Sequence, residues 1–387
     1  MAMTAVQGRC DARFESVRQA FSDLMNEPGQ RGAGVSLYWR GETVVDLWAG
    51  TRDKDARLPW QQNTLVNVFS TSKGVAALAV QKALDLGLLD LQKTIAYYWP
   101  EYGCEGKKDV RVGWILNHRV GQPAIKTPLP DEALFDWERM TSTLAQESPW
   151  WQPGLSHGYH MVTYGWLLGE VFRRAVGISL GQFLREELAQ PLGLDMFLGV
   201  PETEFSRLAD LSGSRDRPQG GRLYLFDTVL GEPESMTSKA LTNPKTLMTS
   251  SNAEAWRRME LPSANLHATA AALASLYGKV ACREGVVSAQ ALRRCQQEES
   301  VGDDPVLLTR TRFGPGFLLQ QVGHPETGFG PGTQAFGHPG SGGSLAFADP
   351  EQELGFGFVM NQMGPYVMVD PRPRRLVDAV YQCLTRI

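Results

Sequence analysis

Ser70-Thr71-Ser72-Lys73 places a hydroxyl and an amine three residues apart where the chain enters an apolar run. On a helix, residues i and i+3 share a face, so Ser70 and Lys73 can meet. A serine hydroxyl is a weak nucleophile until a base takes its proton. A lysine desolvated beside apolar residues disfavours its charged form and can supply that base. The helix N-terminus favours negative charge developing at Ser70. The plain alternative is an N-cap serine followed by a solvated lysine.

Two further stretches could complete such a site. Tyr159-His160-Met161 follows Trp150-Trp151-Gln152-Pro153-Gly154 and just precedes a helical pattern. A tyrosine near a lysine parts with its proton more easily, because positive charge favours phenolate. It could then serve as base toward Ser70 and as acid toward a leaving group. Gly337-His338-Pro339-Gly340-Ser341-Gly342-Gly343 runs into a candidate strand. Its glycines allow close backbone approach to a ligand, and a backbone N–H there could join that of Ser70 around an oxyanion. It is not a phosphate loop: no GxxxxGK[ST] is present and no helix follows.

These residues need elements to hold them. Phe14, Val17, Phe21 and Leu24 recur at helical spacing before Pro28-Gly29. Val35–Trp39 and Thr43–Trp48 flank a turn at Arg40-Gly41 and predict a hairpin. Val75–Leu89 predicts a buried helix, and Tyr164–Val176, Leu180–Ala189 and His267–Val280 predict others. The stretch from Ser212 to Leu261 is loop-rich and mixed. Phe317–Gln321, Gly343–Ala348 and Gly355–Asn361 predict strands, with a turn at Asp349–Glu353. Leu376, Val377, Val380, Tyr381, Leu384 and Ile387 predict one face of a closing helix. This order suits an α/β fold: an antiparallel sheet built from both chain ends, flanked by helices, with a mainly helical insert. The expected division is a sheet domain over 1–70 and 290–387 and a helical domain over 71–289, with the site between them.

Composition narrows the function. The chain has 387 residues, with 38 Lys+Arg against 42 Asp+Glu and a net charge of −4, so it lacks the basic excess of a nucleic-acid protein. Its longest strongly apolar stretch, Gly74–Val80, falls far short of the roughly 20 residues of a membrane span. Asp11, Arg13, Glu15 and Arg18 interrupt any signal-like core before Leu24, which predicts a cytoplasmic protein. Cys10, Cys104, Cys282, Cys295 and Cys383 are scattered, show no zinc spacing and read as reduced thiols. No metal or organic cofactor is implied, and the sequence sets no oligomeric state.

Taken together, the three motifs resemble the serine β-lactamase and penicillin-binding-protein set: SxxK, a Tyr motif, then KTG. More closely, the chain is similar to the class C β-lactamase-related serine esterases, the family VIII carboxylesterases. Val68–Gly74, Ile115–Arg119, Pro153-Gly154 with Tyr159-His160, Pro191–Leu194 and Gly337–Asp349 carry the likeness over roughly Gly34 to Gln362. It implies a β-lactamase-like fold, Ser70 as nucleophile, and Lys73 with Tyr159 as the base system. It also implies an oxyanion hole from the backbone N–H groups of Ser70 and Ser341. His338 stands where the family has lysine, with Pro339-Gly340 after it, and would face substrate. Met161 stands where the β-lactamases have asparagine. Both departures remove groups that orient a β-lactam and leave the acylation machinery intact. The implied reaction is hydrolysis of a small-molecule ester, of short acyl chain by resemblance, with at most weak β-lactamase activity. The reference pKa values of lysine and tyrosine, about 10.4 and 10, are too close to choose the resting base.

Other readings compete. Gly177-Ile178-Ser179-Leu180-Gly181 matches GxSxG, but that elbow needs a preceding strand, and here a helix precedes it. Ser179 with Gln182 instead fits a capping box. His338 could act as general base in a Ser-His-Asp triad. His118, His157, His160 and His267 have no metal spacing, and His324 is assigned to a loop. Trp99, Trp114, Trp150, Trp151 and Trp166 could line a pocket, Trp151 the best placed of them. The same site would also serve a peptidase, an amidase or an acyl transferase. A catalytically dead binding protein of this fold is the alternative from another class.

Overall fold

Phe14, Val17, Phe21 and Leu24 are all buried, as their spacing requires, on the helix Glu15–Asn26. The computed structural model describes residues 4–213, 223–321 and 328–387. His324 lies outside the described residues, as does part of the mixed stretch after Ser212.

The described strands are β1 (Gln7–Cys10), β2 (Gly32–Trp39), β3 (Glu42–Gly50), β4 (Val66–Asn67), β5 (Met196–Leu198), β6 (Leu266–Ala268), β7 (Ser300–Asp304), β8 (Thr309–Phe313), β9 (Leu318–Leu319), β10 (Phe336–Pro339), β11 (Leu345–Asp349) and β12 (Leu354–Met360). Nine of them form one antiparallel sheet in the order β1-β3-β2-β12-β11-β10-β9-β8-β7. The central pairing of β2 with β12, Val35 opposite Phe358 and Leu37 opposite Phe356, joins the two chain ends. β4, β6 and β5 make a second, three-stranded sheet.

Alternation along β12 explains the layers. Leu354, Phe356, Phe358 and Met360 face a core shared with the helices Glu15–Asn26 and Pro371–Leu384. Gly355 and Gly357 face the other way, beneath the helix Ala270–Ala281. A Cβ on Gly355 would stand 2.1 Å from the Gly278 nitrogen, and one on Gly357 would stand 2.4 Å from the Ala270 oxygen. Only glycine lets helix and sheet approach so closely. This helix was expected in the helical insert; it packs instead on the sheet, across β2, β11 and β12.

Several predicted boundaries move. His267 belongs to β6 rather than to a helix, because long-range pairing with β4 and β5 claims Leu266–Ala268. Thr269 then caps the helix by accepting the Ala272 N–H at 3.1 Å. The buried helix spans Thr71–Asp85, so Leu86 and Leu88 fall beyond it and are exposed. The helix from Leu180 widens to π geometry over Arg185–Ala189. Ile387 lies past the Pro371–Leu384 helix and is exposed. Short helices Met236–Thr242 and Glu254–Arg258 occupy the mixed stretch. Among the described residues no helix is long and apolar enough to cross a membrane.

Candidate active site

Ser70 stands where β4 gives way to the Thr71–Asp85 helix. Phe69, just before it, has φ +42°, a left-handed conformation that is costly for an aromatic residue. Asn67 holds this bend by accepting the Phe69 N–H through Oδ1 at 3.2 Å. Ser70 itself is helical, at φ −66° and ψ −10°, and its side chain makes no capping bond. The N-cap alternative therefore does not describe it.

Lys73 is 1% exposed. Its Nζ lies 3.1 Å from Ser70 Oγ, 2.7 Å from the Met161 carbonyl and 3.0 Å from the Ser263 carbonyl. Burial holds the amine well below the ordinary lysine range, and among the described residues no carboxylate pairs with it. A neutral amine has two N–H bonds and one lone pair. The two carbonyls take the N–H bonds, and the lone pair is left for the Ser70 hydroxyl.

Tyr159 is also buried, with the Lys73 Nζ 4.7 Å from its ring centre. The sequence suggested that a nearby cation would ease loss of its proton. The opposite holds: burial raises the phenol above its ordinary value, and hydrogen bonding with Ser70 offsets only part of that. Burial thus pushes the lysine down and the tyrosine up, which favours the neutral amine on one and the protonated phenol on the other.

A buried carboxylate fixes Tyr159 from behind. Asp304 Oδ2 accepts the Tyr159 N–H at 2.9 Å, while Oδ1 accepts those of Val306 and Leu307 at 2.9 and 3.0 Å. Phe313 stacks on the phenol ring at 5.9 Å. His118, at φ +64°, packs 4.9 Å from the same ring and accepts the His160 N–H at Nδ1. His160 donates from Nδ1 to the Gly158 carbonyl and accepts the Gln122 N–H at Nε2. Burial holds His160 near pKa 3, so this imidazole adds no charge behind Tyr159.

The third motif lies against the Ser70 segment. A Cβ on Gly340 would stand 2.1 Å from the Val68 carbonyl, so this glycine serves close backbone packing. Ser344 Oγ donates to the Val68 carbonyl at 2.7 Å, tying the turn down. Among the described residues neither the Ser70 nor the Ser341 backbone N–H carries a hydrogen-bond partner. His338 reaches the site beside Tyr159. It is 1% exposed, its Nδ1–H donates to the Pro339 carbonyl at 2.7 Å, and Nε2 points to the Tyr159 hydroxyl at a long 3.4 Å. Burial holds it near pKa 3, so it brings no cation where the β-lactamases have lysine.

Other sequence candidates fall outside this cluster. Trp151 donates to the Ser156 carbonyl and sets its ring edge-on to His160, 6.1 Å away. Trp99 and Trp166 fill the core, and Trp150 donates to the Ala124 carbonyl. Ser179 caps the Leu180–Leu184 helix, as its capping-box spacing predicts. Sequence reasoning missed Asp304, Ser263 and Phe313. Ser263 acts through a carbonyl that any residue would supply, and Met161 does likewise, so neither side chain could announce its part.

The fold and this cluster define a serine hydrolase of β-lactamase type. The beta-lactamase family profile matches residues 17–381, and the chain belongs to that family. It is 31% identical over 376 residues to the esterase/beta-lactamase LipL of Mycobacterium tuberculosis, covering 94% of this chain and 85% of that one. A crystal structure of a family VIII carboxylesterase superposes with TM-score 0.88 at 36% identity, covering 98% of this chain and all of the other. A penicillin-binding protein homologue from Caulobacter crescentus matches with the same score, identity and coverage.

Proposed function

We propose that the protein is a carboxylesterase that works through an acyl-enzyme on Ser70. The observation that carries this reading is the buried amine of Lys73, 3.1 Å from Ser70 Oγ with two carbonyls taking its other bonds. Lys73 takes the Ser70 proton as Oγ attacks the ester carbonyl. The oxyanion is held by the N–H groups of Ser70 and Ser341, donors of the kind worth about 10²- to 10³-fold each. Tyr159 gives its proton to the leaving alkoxide and recovers one from the Lys73 ammonium. Water, deprotonated through the same pair, then attacks the acyl carbonyl and releases the acid and free Ser70.

An uncharged substrate suits the third motif. His338 is neutral and turned toward Tyr159, which leaves no cation there for the carboxylate of a β-lactam. The names of the esterase relatives agree with an ester substrate. The test compares wild type with Ser70→Ala on p-nitrophenyl acetate and butyrate, with nitrocefin in parallel. Ester turnover should fall by about a thousandfold or more in Ser70→Ala, with nitrocefin barely turned over by wild type. Ester turnover that survives the substitution would end the Ser70 assignment. Rapid nitrocefin turnover would make the β-lactamase reading the better one.

A further inference from the structure

The turn that presents the Ser341 N–H is braced from behind by the start of the last helix. Gly340 donates to the Ser344 carbonyl at 2.7 Å, and Gly343 donates to the Gly340 carbonyl at 3.0 Å. Gly342 donates to the Tyr366 carbonyl at 2.9 Å. The Gly342 carbonyl accepts twice, from the Gly364 N–H at 2.8 Å and from Arg372 Nη2 at 2.5 Å. Arg372 is largely buried, and the fully buried Asp370 holds it: Oδ1 accepts its backbone N–H and its Nε, and Oδ2 accepts Nη2 at 2.8 Å. Nη1 donates to the Gln362 carbonyl at 2.8 Å and makes a long 3.4 Å contact to Gln30 Oε1.

We infer that Arg372, held by Asp370, is a positioning residue for the oxyanion hole. The inference rests on the proposed roles of Ser70 and Ser341. Two rigid peptide planes connect the guanidinium to the site. The Gly342 carbonyl and the Gly343 N–H share one plane, so a cation fixed on that carbonyl fixes the N–H. That N–H donates to the Gly340 carbonyl, which shares the next plane with the Ser341 N–H. Fixing the first plane therefore aims the second. The bonds run donor to acceptor in one direction, so the cation also polarises the chain and makes the Ser341 N–H a stronger donor.

The turn depends on this anchor for a conformational reason. Gly342 and Gly343 sit at φ +86° and +126°, a pair of torsions with few side-chain restraints of their own. The space is also spoken for. A Cβ on Gly343 would meet Arg372 Nη2 at 2.7 Å, and one on Gly364 would meet Asp370 Oδ2 at 2.3 Å. Arg372 thus touches no substrate, but it decides where one oxyanion donor points.

The test measures ester kinetics for Arg372→Lys, Arg372→Ala and Asp370→Asn beside Ser70→Ala. A donor misplaced by about an ångström should cost kcat about ten- to a hundredfold with KM within about twofold. Arg372 lines an open surface groove with Arg31, Ser212 and Met363, so small cations can reach its place. Guanidinium or ethylguanidinium added to Arg372→Ala should then restore part of kcat, an effect that a general loss of packing would not show. Should Arg372→Ala fail to fold, Asp370→Asn and Arg372→Lys carry the same kcat expectation with milder perturbation. Arg372 variants with wild-type kcat, beside an inactive Ser70→Ala, would overturn the clamp alone. A fall in kcat in folded Arg372→Ala that guanidinium does not relieve would also overturn it. An active Ser70→Ala would overturn the underlying reading and the clamp with it.

Discussion

Ser70 and Ser179 each stand one residue before a helix, and the protein holds them in opposite ways. Ser179 is extended, at φ −67° and ψ 157°, and its Oγ accepts the Gln182 N–H at 3.1 Å while donating to Glu260 at 2.9 Å. Glu260 also accepts the Gly181 N–H at 3.0 Å. Every bond this hydroxyl makes serves the helix end. Ser70 is already helical, which turns its side chain away from the N–H groups it would cap and toward the amine one turn on. The left-handed Phe69 sets up that difference. A single ψ angle thus separates a cap from a candidate nucleophile.

The sharpest way to break this comparison is to remove both hydroxyls in turn. Beside the large loss expected for Ser70→Ala, Ser179→Ala should leave ester kcat within about twofold; inactivity of Ser179→Ala in a folded protein would reverse the assignment. Lys73→Met, a near-isosteric loss of the amine, should lower kcat by about 10²- to 10⁴-fold, read in steady-state turnover with the fold checked by circular dichroism. The pH profile tests the same group. Lys73 is active when neutral, and burial lowers its pKa, so kcat/KM should fall as pH drops through that lowered value. Tyr159 is active when protonated, and burial raises its pKa, so the alkaline fall should lie above pH 10. An acid limb at the ordinary lysine value near 10.4 would contradict the neutral-amine reading. Tyr159→Phe should cost about a hundredfold, more for esters with poor leaving alcohols than for p-nitrophenyl esters, whose leaving group needs no proton. The smallest effect is on stability. Ser179→Ala should lower it by about 1 kcal/mol in urea unfolding, the usual cost of a lost N-cap.

Parts of this protein that obey short-range rules were legible in the sequence. The hairpin of β2 and β3, the buried run after Ser70 and the capping box at Ser179 follow from period, turn residues and spacing. The same local reading failed at His267, where a helical pattern extends one turn into a strand that distant partners require. It failed again on the Tyr159 proton. Spacing shows that a lysine can be near, but only the surrounding atoms show that burial raises the phenol and that the Ser70 hydrogen bond offsets only part of it.

The sequence by itself determined the chemical types, the order of the three motifs and the alternation that puts β12 phenylalanines on one face and its glycines on the other. Local sterics and hydrophobic periodicity act over a few residues, so they are written in consecutive letters. Only the tertiary structure decided what those groups are at rest. The burial that lowers the Lys73 amine, the approach of His338 to the Tyr159 hydroxyl and the bracing of the Gly340–Gly343 turn by Arg372 all depend on groups brought from far along the chain. Desolvation and hydrogen-bond direction are properties of an enclosed volume, and that volume exists only once the sheet has closed.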